Sequence, residues 1–439
     1  LVKSPHIGIL KIQLFSQQRV AIQTKQNFKL TELSNGVKVL SEQISHIESF
    51  SLGFWFNVGT RDEIKKLNGI CHFIEHMLFK GSHKRSARKI SDMIESYGGY
   101  LNAFTSKENT CYYGRGLSQH VDRTFDVLAD MVQYPIFRAG DIKKESGVII
   151  DELHDIEDNP EELIFDKFEE IIFQGNSLAM PIIGNETSIT SFDHATLHAF
   201  HKQHYNLNNM LISATGNLQH EELVALAEKH IQIKTRERKR KRPFVEGGKP
   251  RRITMERDIS QVHCIIGRKS YGYKDQERLK LSLLSAILGE GSSSRLFQAV
   301  REKQGITYQI NTFVNSYYDA SAFGVYFSTN EQQVGKAITI IEKELKKIRT
   351  EAVPARELKR VKEYMKGSII LGMENTSNRM IRMASNMIYH NRFIPVDEVI
   401  AKIDAITSEE ILELARQTLD ESQLTQLVMF AKRDGAGKE

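Results

Sequence analysis

Cysteine is scarce in this chain of 439 residues: Cys71, Cys111 and Cys264 are its only three. An odd, widely scattered trio excludes a disulfide framework and fits a reducing compartment. Long apolar runs are missing too. No stretch approaches the roughly 18 residues that a spanning helix needs, so no membrane span is expected. The weakly apolar "IGILKIQLF" near the N-terminus is broken by Lys11 and lacks a small-residue cleavage site, which makes it a poor secretory signal. Arg19 and Lys25, with no acidic residue before Glu32, give the segment a faint organelle-leader character. Residues 1–26 are read as an N-terminal extension. The expected setting is cytoplasmic, with an organelle matrix as the alternative.

A large charge of one sign is also lacking. The net charge is +5 and owes much to one run, "KTRERKRKRP", residues 234–243. No aromatic side chains are interleaved there for base stacking, so the run reads as a solvated linker and no nucleic-acid partner is expected.

What remains is a composition 40% apolar and 26% charged, that of a soluble globular protein. The length favours two domains of about 200 residues each. The basic run passes into "FVEGGKP", whose glycines and proline carry no periodicity, so residues 234–250 form the expected boundary. On each side the same order of elements recurs. Alternating strands ("GVKVLSEQI", "SFSLGFWFNVG"; then "RRITMERDI", "QVHCIIGRKSYG") lead into two helices, a strand pair and a long helix. An internal duplication, with domains at 27–233 and 251–439, explains this order.

The chemistry is not duplicated. Setting "HFIEHML" against "LSLLSAIL" places Ser282, Ser285 and Ala286 opposite His72, Glu75 and His76. Further on, Lys362 and Ile369 stand opposite Glu145 and Glu152. On a helix, His72, Glu75 and His76 share one face. Two imidazoles one turn apart suit Zn²⁺, with the carboxylate beside a water, in the inverted order H-x-x-E-H. Cys71, turned about 100° from its neighbour, is read as a core residue. A catalytic zinc needs a third protein ligand. Glu145 and Glu152, two turns apart in "KKESGVIIDELHDIEDNP", share a face and are the candidates, one for the metal and one to orient a ligand. Spacing alone does not choose between them.

Taken together, "HFIEHMLFKGS", "GGYLNAFTSKENTCYY", "ESGVIIDELHDIEDNP" and "SSSRLFQAVREKQGITYQI" closely resemble the pitrilysin-type (M16) metallopeptidases. The resemblance is to the two-domain branch that includes the mitochondrial processing peptidases and their bacterial relatives, and it runs from about Phe28 to Met429. It implies two related α+β domains, each a mainly antiparallel sheet packed with helices. It implies one zinc per chain held by His72, His76 and Glu152, with Glu75 as general base and Glu145 as supporting acid. The strand after Gly98 and Gly99 would receive an extended peptide as an added strand beside Asn102 and Ala103. The pair Arg301 and Tyr308 would hold substrate carbonyls and stabilise the oxyanion. It further implies a homodimer, each zinc facing the pair from the other copy, that cleaves extended peptides or presequences in a closed chamber. The rival is a non-catalytic structural or partner subunit, against which the complete set of site residues speaks. A closed structural zinc site is the other rival, and no fourth ligand stands beside the motif. "GEGSSSRLF" lacks the lysine of a phosphate loop; Ser293 or Ser294 is expected to cap a helix starting at Arg295.

Overall fold

Alternation of apolar residues builds eleven strands among the described residues, 27–232 and 242–432, of this computed structural model. The first half supplies β1 (Asn27–Glu32), β2 (Lys38–Gln43), β3 (Ser49–Phe56), β4 (Tyr100–Thr105), β5 (Thr110–Leu117) and β6 (Met210–Gly216). They form one sheet in the order β1-β2-β6-β3-β5-β4, antiparallel except for β2 beside β6. The second half supplies β7 (Arg252–Arg257), β8 (Val262–Ser270), β9 (Gln309–Ser316), β10 (Ser321–Thr329) and β11 (Thr425–Ala431). Their order is β7-β11-β8-β10-β9, again with one parallel pair, β7 beside β11. Strand for strand, β7, β11, β8, β10 and β9 repeat β2, β6, β3, β5 and β4. The architecture is two sheets packed with helices, α+β in each half. β1, largely exposed along its length, is an added edge that alternation of buried residues does not signal.

The helices of the first half are α1 (Ile70–Leu78), α2 (Ala87–Glu95), α3 (Val121–Gln133), α4 (Ala139–Asp158), α5 (Pro160–Ile172), α6 (Glu186–Thr190), α7 (His194–His204) and α8 (His220–His230). Those of the second are α9 (Arg278–Gly289), α10 (Val334–Thr350), α11 (Ala355–Gly372), α12 (Thr376–His390), α13 (Val396–Ala405) and α14 (Ser408–Thr418). Two of them change sides. Met380, Met383, Ala384 and Met387 of α12 cover the face of the first sheet made by Leu40, Trp55, Cys111 and Leu211. Reciprocally, Leu163, Ile164, Phe168 and Ile172 of α5 cover Ile265, Tyr326, Leu427 and Met429 of the second sheet. Each fully buried side chain of this kind contributes about 1.5–3 kcal/mol, so the exchange ties the halves into one folding unit. Asparagine starts both exchanged helices: Asn159 accepts from the amides of Glu161 and Glu162, and Asn375 from those of Ser377 and Asn378.

A polar seam runs beside these contacts. The turn between β4 and β5 carries Lys107, Glu108 and Asn109, all buried. Glu108 receives Arg61 at 2.7 Å, Arg242 at 3.2 Å and the Tyr318 amide at 2.8 Å. Arg61 also reaches Asp319 at 2.6 Å, and Arg242 pairs with Asp62 at 3.0 Å. Lys107 donates to the Met180 carbonyl, and Asn109 bonds the Tyr389 hydroxyl at 3.1 Å.

Arg242 corrects one expectation. As the penultimate residue of "KTRERKRKRP" it was grouped with a solvated linker, yet it docks between two buried carboxylates; residues 234–241, like the extension 1–26, lie outside the described residues. The expected serine cap is also not made. The helical turn does begin at Arg295, but the Ser294 hydroxyl turns back to the Gly291 carbonyl and Ser293 takes Arg360. The segment Phe297–Glu302 that follows winds as a wide π-helical stretch.

Removing one partner of a buried ion pair leaves the other charge without compensation. Glu108→Ala is therefore expected to lower the unfolding free energy by about 3–5 kcal/mol, read from urea unfolding curves. A loss below about 1 kcal/mol would show that the seam contributes little.

Candidate active site

Helix α1 has no side chain of its own to cap its start. Gly69, the residue before it, holds φ at +92°, and the cap comes from six residues upstream. The Glu63 carboxylate accepts from the amides of Gly69 at 2.8 Å and Cys71 at 2.9 Å, and from Asn68 Nδ2 at 3.0 Å. Burial pushes the Glu63 carboxyl up to about 7, against the opposing pull of these hydrogen bonds. Gly69 crosses Gly184 at close range. A Cβ on Gly69 would lie 2.5 Å from the Ile183 carbonyl, and one on Gly184 would lie 2.6 Å from that of Asn68. Beyond this crossing, Ile70, Cys71, Phe73, Ile74, Met77 and Leu78 are buried in the first core, which leaves His72, Glu75 and His76 on the remaining face.

That face meets α4, whose Ile142 and Ile149 are buried and whose Glu145 and Glu152 follow the same stripe. Nε2 of His72 lies 3.7 Å from Glu152, and Nε2 of His76 lies 3.6 Å from the other oxygen of the same carboxylate. One donor atom from each of the three residues falls within 4.8 Å of the others. Among the described residues, no fourth His, Cys, Asp or Glu joins the group. Glu145 stands on the far side. Its Oε1 is 2.9 Å from His76 Nδ1, and a carboxylate there accepts, so Nδ1 carries a proton and Nε2 faces Glu152. Its Oε2 receives Lys80 at 2.6 Å.

The electrostatics sort these groups. Burial and the neighbouring His76 lower His72 to about 3, so its imidazole is neutral and free to donate a lone pair. Burial also pulls His76 down, but the Glu145 hydrogen bond and the carboxylates of Glu152, Glu145 and Glu75 outweigh it and favour positive charge there. Burial alone would raise Glu145; hydrogen bonds from His76 and Lys80 hold it below the ordinary range. Glu152 and Glu75 are both raised by burial. Two imidazoles and a carboxylate in this arrangement could hold a divalent transition metal.

Glu75 lies beside this group and accepts a hydrogen bond from the Thr105 hydroxyl of β4. β4 is an edge strand, bonded to β5 alone. Its residues alternate. Leu101 and Ala103 pack with the first core, whereas Phe104 belongs with Trp55 and Tyr113 on the face that α12 covers. Asn102 and Ala103 therefore lie on opposite faces. The Ala103 amide donates to Asn102 Oδ1 at 2.8 Å, and Asn102 Nδ2 bonds the Tyr100 hydroxyl at 2.5 Å. Arg301 and Tyr308 meet each other instead. The guanidinium donates to the Tyr308 carbonyl at 2.6 Å and lies over the Phe297 ring, and the Tyr308 side chain is largely exposed. Among the described residues, no hydrogen bond or ion pair joins either one to the histidines or glutamates of α1 and α4.

Sequence reasoning missed Glu63, Lys80 and Thr105. Lys80 had a signal, since it stands one turn after His76 on the same face. Thr105 and Glu63 had none.

Comparison with known proteins assigns the family. Residues 38–186 match the family described as Insulinase (Peptidase family M16), and residues 191–365 match the Peptidase M16 inactive domain. An uncharacterised zinc protease of Bacillus subtilis is 33% identical over 398 residues, 90% of this chain and 96% of that protein. A similarly named protein of Rickettsia felis is 31% identical over 94% of this chain and 100% of its own. Among solved structures, a protease from Helicobacter pylori superposes with a TM-score of 0.87 at 20% identity, covering 92% of this chain and all of its own. A Pseudomonas fluorescens chain described as a peptidase M16 inactive domain gives 0.85 at 18%, covering 94% and 100%. The chain belongs to the pitrilysin-type M16 peptidase family, and its close relatives are named zinc proteases.

The Gly69–Gly184 crossing generates a direct test. Gly69→Ala places a Cβ against a backbone carbonyl at a left-handed φ, so it should lower stability by about 1–3 kcal/mol in denaturant unfolding of metal-free protein. Wild-type stability would mean that the start of α1 is free to shift.

Proposed function

We propose that the protein is a zinc-dependent endopeptidase acting on extended peptides, with one zinc per chain held by His72, His76 and Glu152. The observation that carries this reading is the convergence of those three donors, with Glu75 beside them. The donor set fits the metal. His72 is neutral, His76 is held by Glu145 with Nε2 turned inward, and three protein ligands with no fourth among the described residues are the set of a catalytic site, not a closed structural one. Bound there, zinc supplies a Lewis acid that polarises the scissile carbonyl and acidifies water.

The remaining steps belong to side chains. Glu75, its carboxyl raised by burial, takes the proton from the attacking water and passes it to the leaving amine. Glu145, braced by Lys80, keeps His76 in one tautomer and orientation. The β4 edge accepts the peptide as an added strand, with the Ala103 amide as a main-chain donor once Asn102 yields it. Main-chain capture is largely independent of side-chain sequence. It also demands an extended substrate, so folded proteins are excluded.

Arg301 and Tyr308 complete the reading if two copies pair, the partner's Arg301 and the partner's Tyr308 reaching the substrate carbonyls. Their engagement with each other leaves the Tyr308 side chain largely exposed, which suits a partner-facing role. Bacterial relatives support a cytoplasmic setting.

Purified protein should contain about one zinc per chain, and His72→Ala or Glu152→Ala should lower zinc content and cleavage of a quenched unstructured peptide together. Glu75→Gln should keep zinc and lose about 10²-fold in kcat. Full zinc in both ligand variants, or near-normal turnover in zinc-loaded Glu75→Gln, would overturn the assignment.

Mixing Arg301→Ala/Tyr308→Phe protein with Glu75→Gln protein tests the shared site. Mixed dimers would contain one intact composite site, and part of the activity should return. Mixed dimers confirmed by mass with no recovery would exclude it.

A further inference from the structure

The hydroxyl of Thr105 donates to Oε2 of Glu75, and among the described residues that is its hydrogen bond. Oε1 of the same carboxylate has no hydrogen-bond partner among them. Thr105 is also the last residue of β4, next to the turn whose Lys107, Glu108 and Asn109 are buried in the seam. From this chain of contacts we infer that Thr105 is a positioning residue for the base: it pins one oxygen of Glu75 so that the other faces the water to be deprotonated, and the seam holds Thr105 in place. The inference rests on the peptidase reading and deepens it.

The second half shows what the acid adds. There Thr312 of β9 faces Ser285 of α9, the residue opposite Glu75. Its hydroxyl donates to the Ser285 backbone carbonyl at 2.7 Å and accepts from the Ser285 hydroxyl at 2.9 Å. That threonine ties strand to helix through the backbone. By ladder register Thr312 holds the place of Leu101, so Thr105 is a contact of the first half alone: its hydroxyl goes to a side-chain carboxylate, and such a bond restricts the carboxylate's rotation without fastening the helix. The neighbouring side chains of the turn supply the rigidity. Lys107 is anchored on Met180 and Glu169, and Glu108 on two arginines and the Tyr318 amide, so the end of β4 has little freedom to move.

The test compares Thr105→Val, which keeps shape and loses the hydroxyl, with Thr105→Ser, which keeps it, in both the wild-type and Glu75→Gln backgrounds. Zinc content, kcat and KM are measured on the full-length protein with a quenched peptide. Thr105→Val should reduce kcat by about tenfold, the scale of one hydrogen bond to a charged group, with KM and zinc content unchanged. Thr105→Ser should restore most of it. In single-turnover assays of Glu75→Gln protein the valine should cost nothing further, because residues that act as a unit are not additive. Unchanged kcat in Thr105→Val, loss of zinc, a change confined to KM, or equal losses in both backgrounds would each overturn the inference. Failure of the wild-type protein to cleave any peptide would instead overturn the peptidase reading, so the two failures are distinct.

Discussion

The central strands of both sheets are buried on both faces, and in each sheet one of the covering helices comes from the other half of the chain. β3 shows the demand. Phe50, Leu52, Phe54 and Phe56 enter the first core while Trp55 enters the layer beneath α12. A strand that is apolar on both sides loses its stabilisation if either cover is removed, so the exchange of α5 and α12 is a condition of folding. Everything that follows inherits this constraint. α4 and α5 are consecutive, separated by Asn159 alone, so the helix that presents Glu145 and Glu152 to α1 runs straight into the helix that seals the other sheet.

The site is an expensive insertion into this apolar frame. Two histidines and four carboxylates lie within or beside the first core, where an unpaired polar group costs about 1–3 kcal/mol or more. Compensation is local: Glu63 by three donors, Glu145 by His76 and Lys80, and one oxygen of Glu75 by Thr105. The second half shows the same frame without that burden. Ser285 satisfies itself on Thr312, and Lys362 reaches out to the carbonyls of Asp404 and Ile406. Since the two sheets share a strand order, the polar residues of the first half are not needed for the architecture.

The strands and the helix pairs that carry the site were legible because alternation and 3.6-residue periodicity report burial, and burial is what sheets and amphipathic helices require. The group on α1 was legible because i, i+3 and i+4 fall on one face, whatever packs against it. Other features depend on partners far away in sequence. Nothing in "NPEELIFDKFEEII" says which sheet its apolar stripe will meet. Arg242 could not be separated from its basic neighbours, because only the folded chain brings Asp62 and Glu108 beside it. The Ser294 cap failed for a local reason: its hydroxyl found the Gly291 carbonyl first, and a serine satisfied within its own turn leaves the helix amides to others.

Fold likeness does not decide activity in this family. A chain described as an inactive domain superposes on this one about as well as a chain described as a protease. The second half of this same molecule makes the point internally, since it reproduces the sheet and the helix and carries no metal-binding group among its described residues. Function has to be argued from the residues that differ between equivalent places. Those differences are few: His72, Glu75 and His76 against Ser282, Ser285 and Ala286, and Glu145 and Glu152 against Lys362 and Ile369. All but the exchange of Lys362 for Glu145 set a titratable residue where the second half has an uncharged one, and all of them meet where α4 faces α1, beside a free sheet edge. Packing gains nothing from that concentration of buried charge, whereas the proposed hydrolysis of a bound peptide would use each part of it.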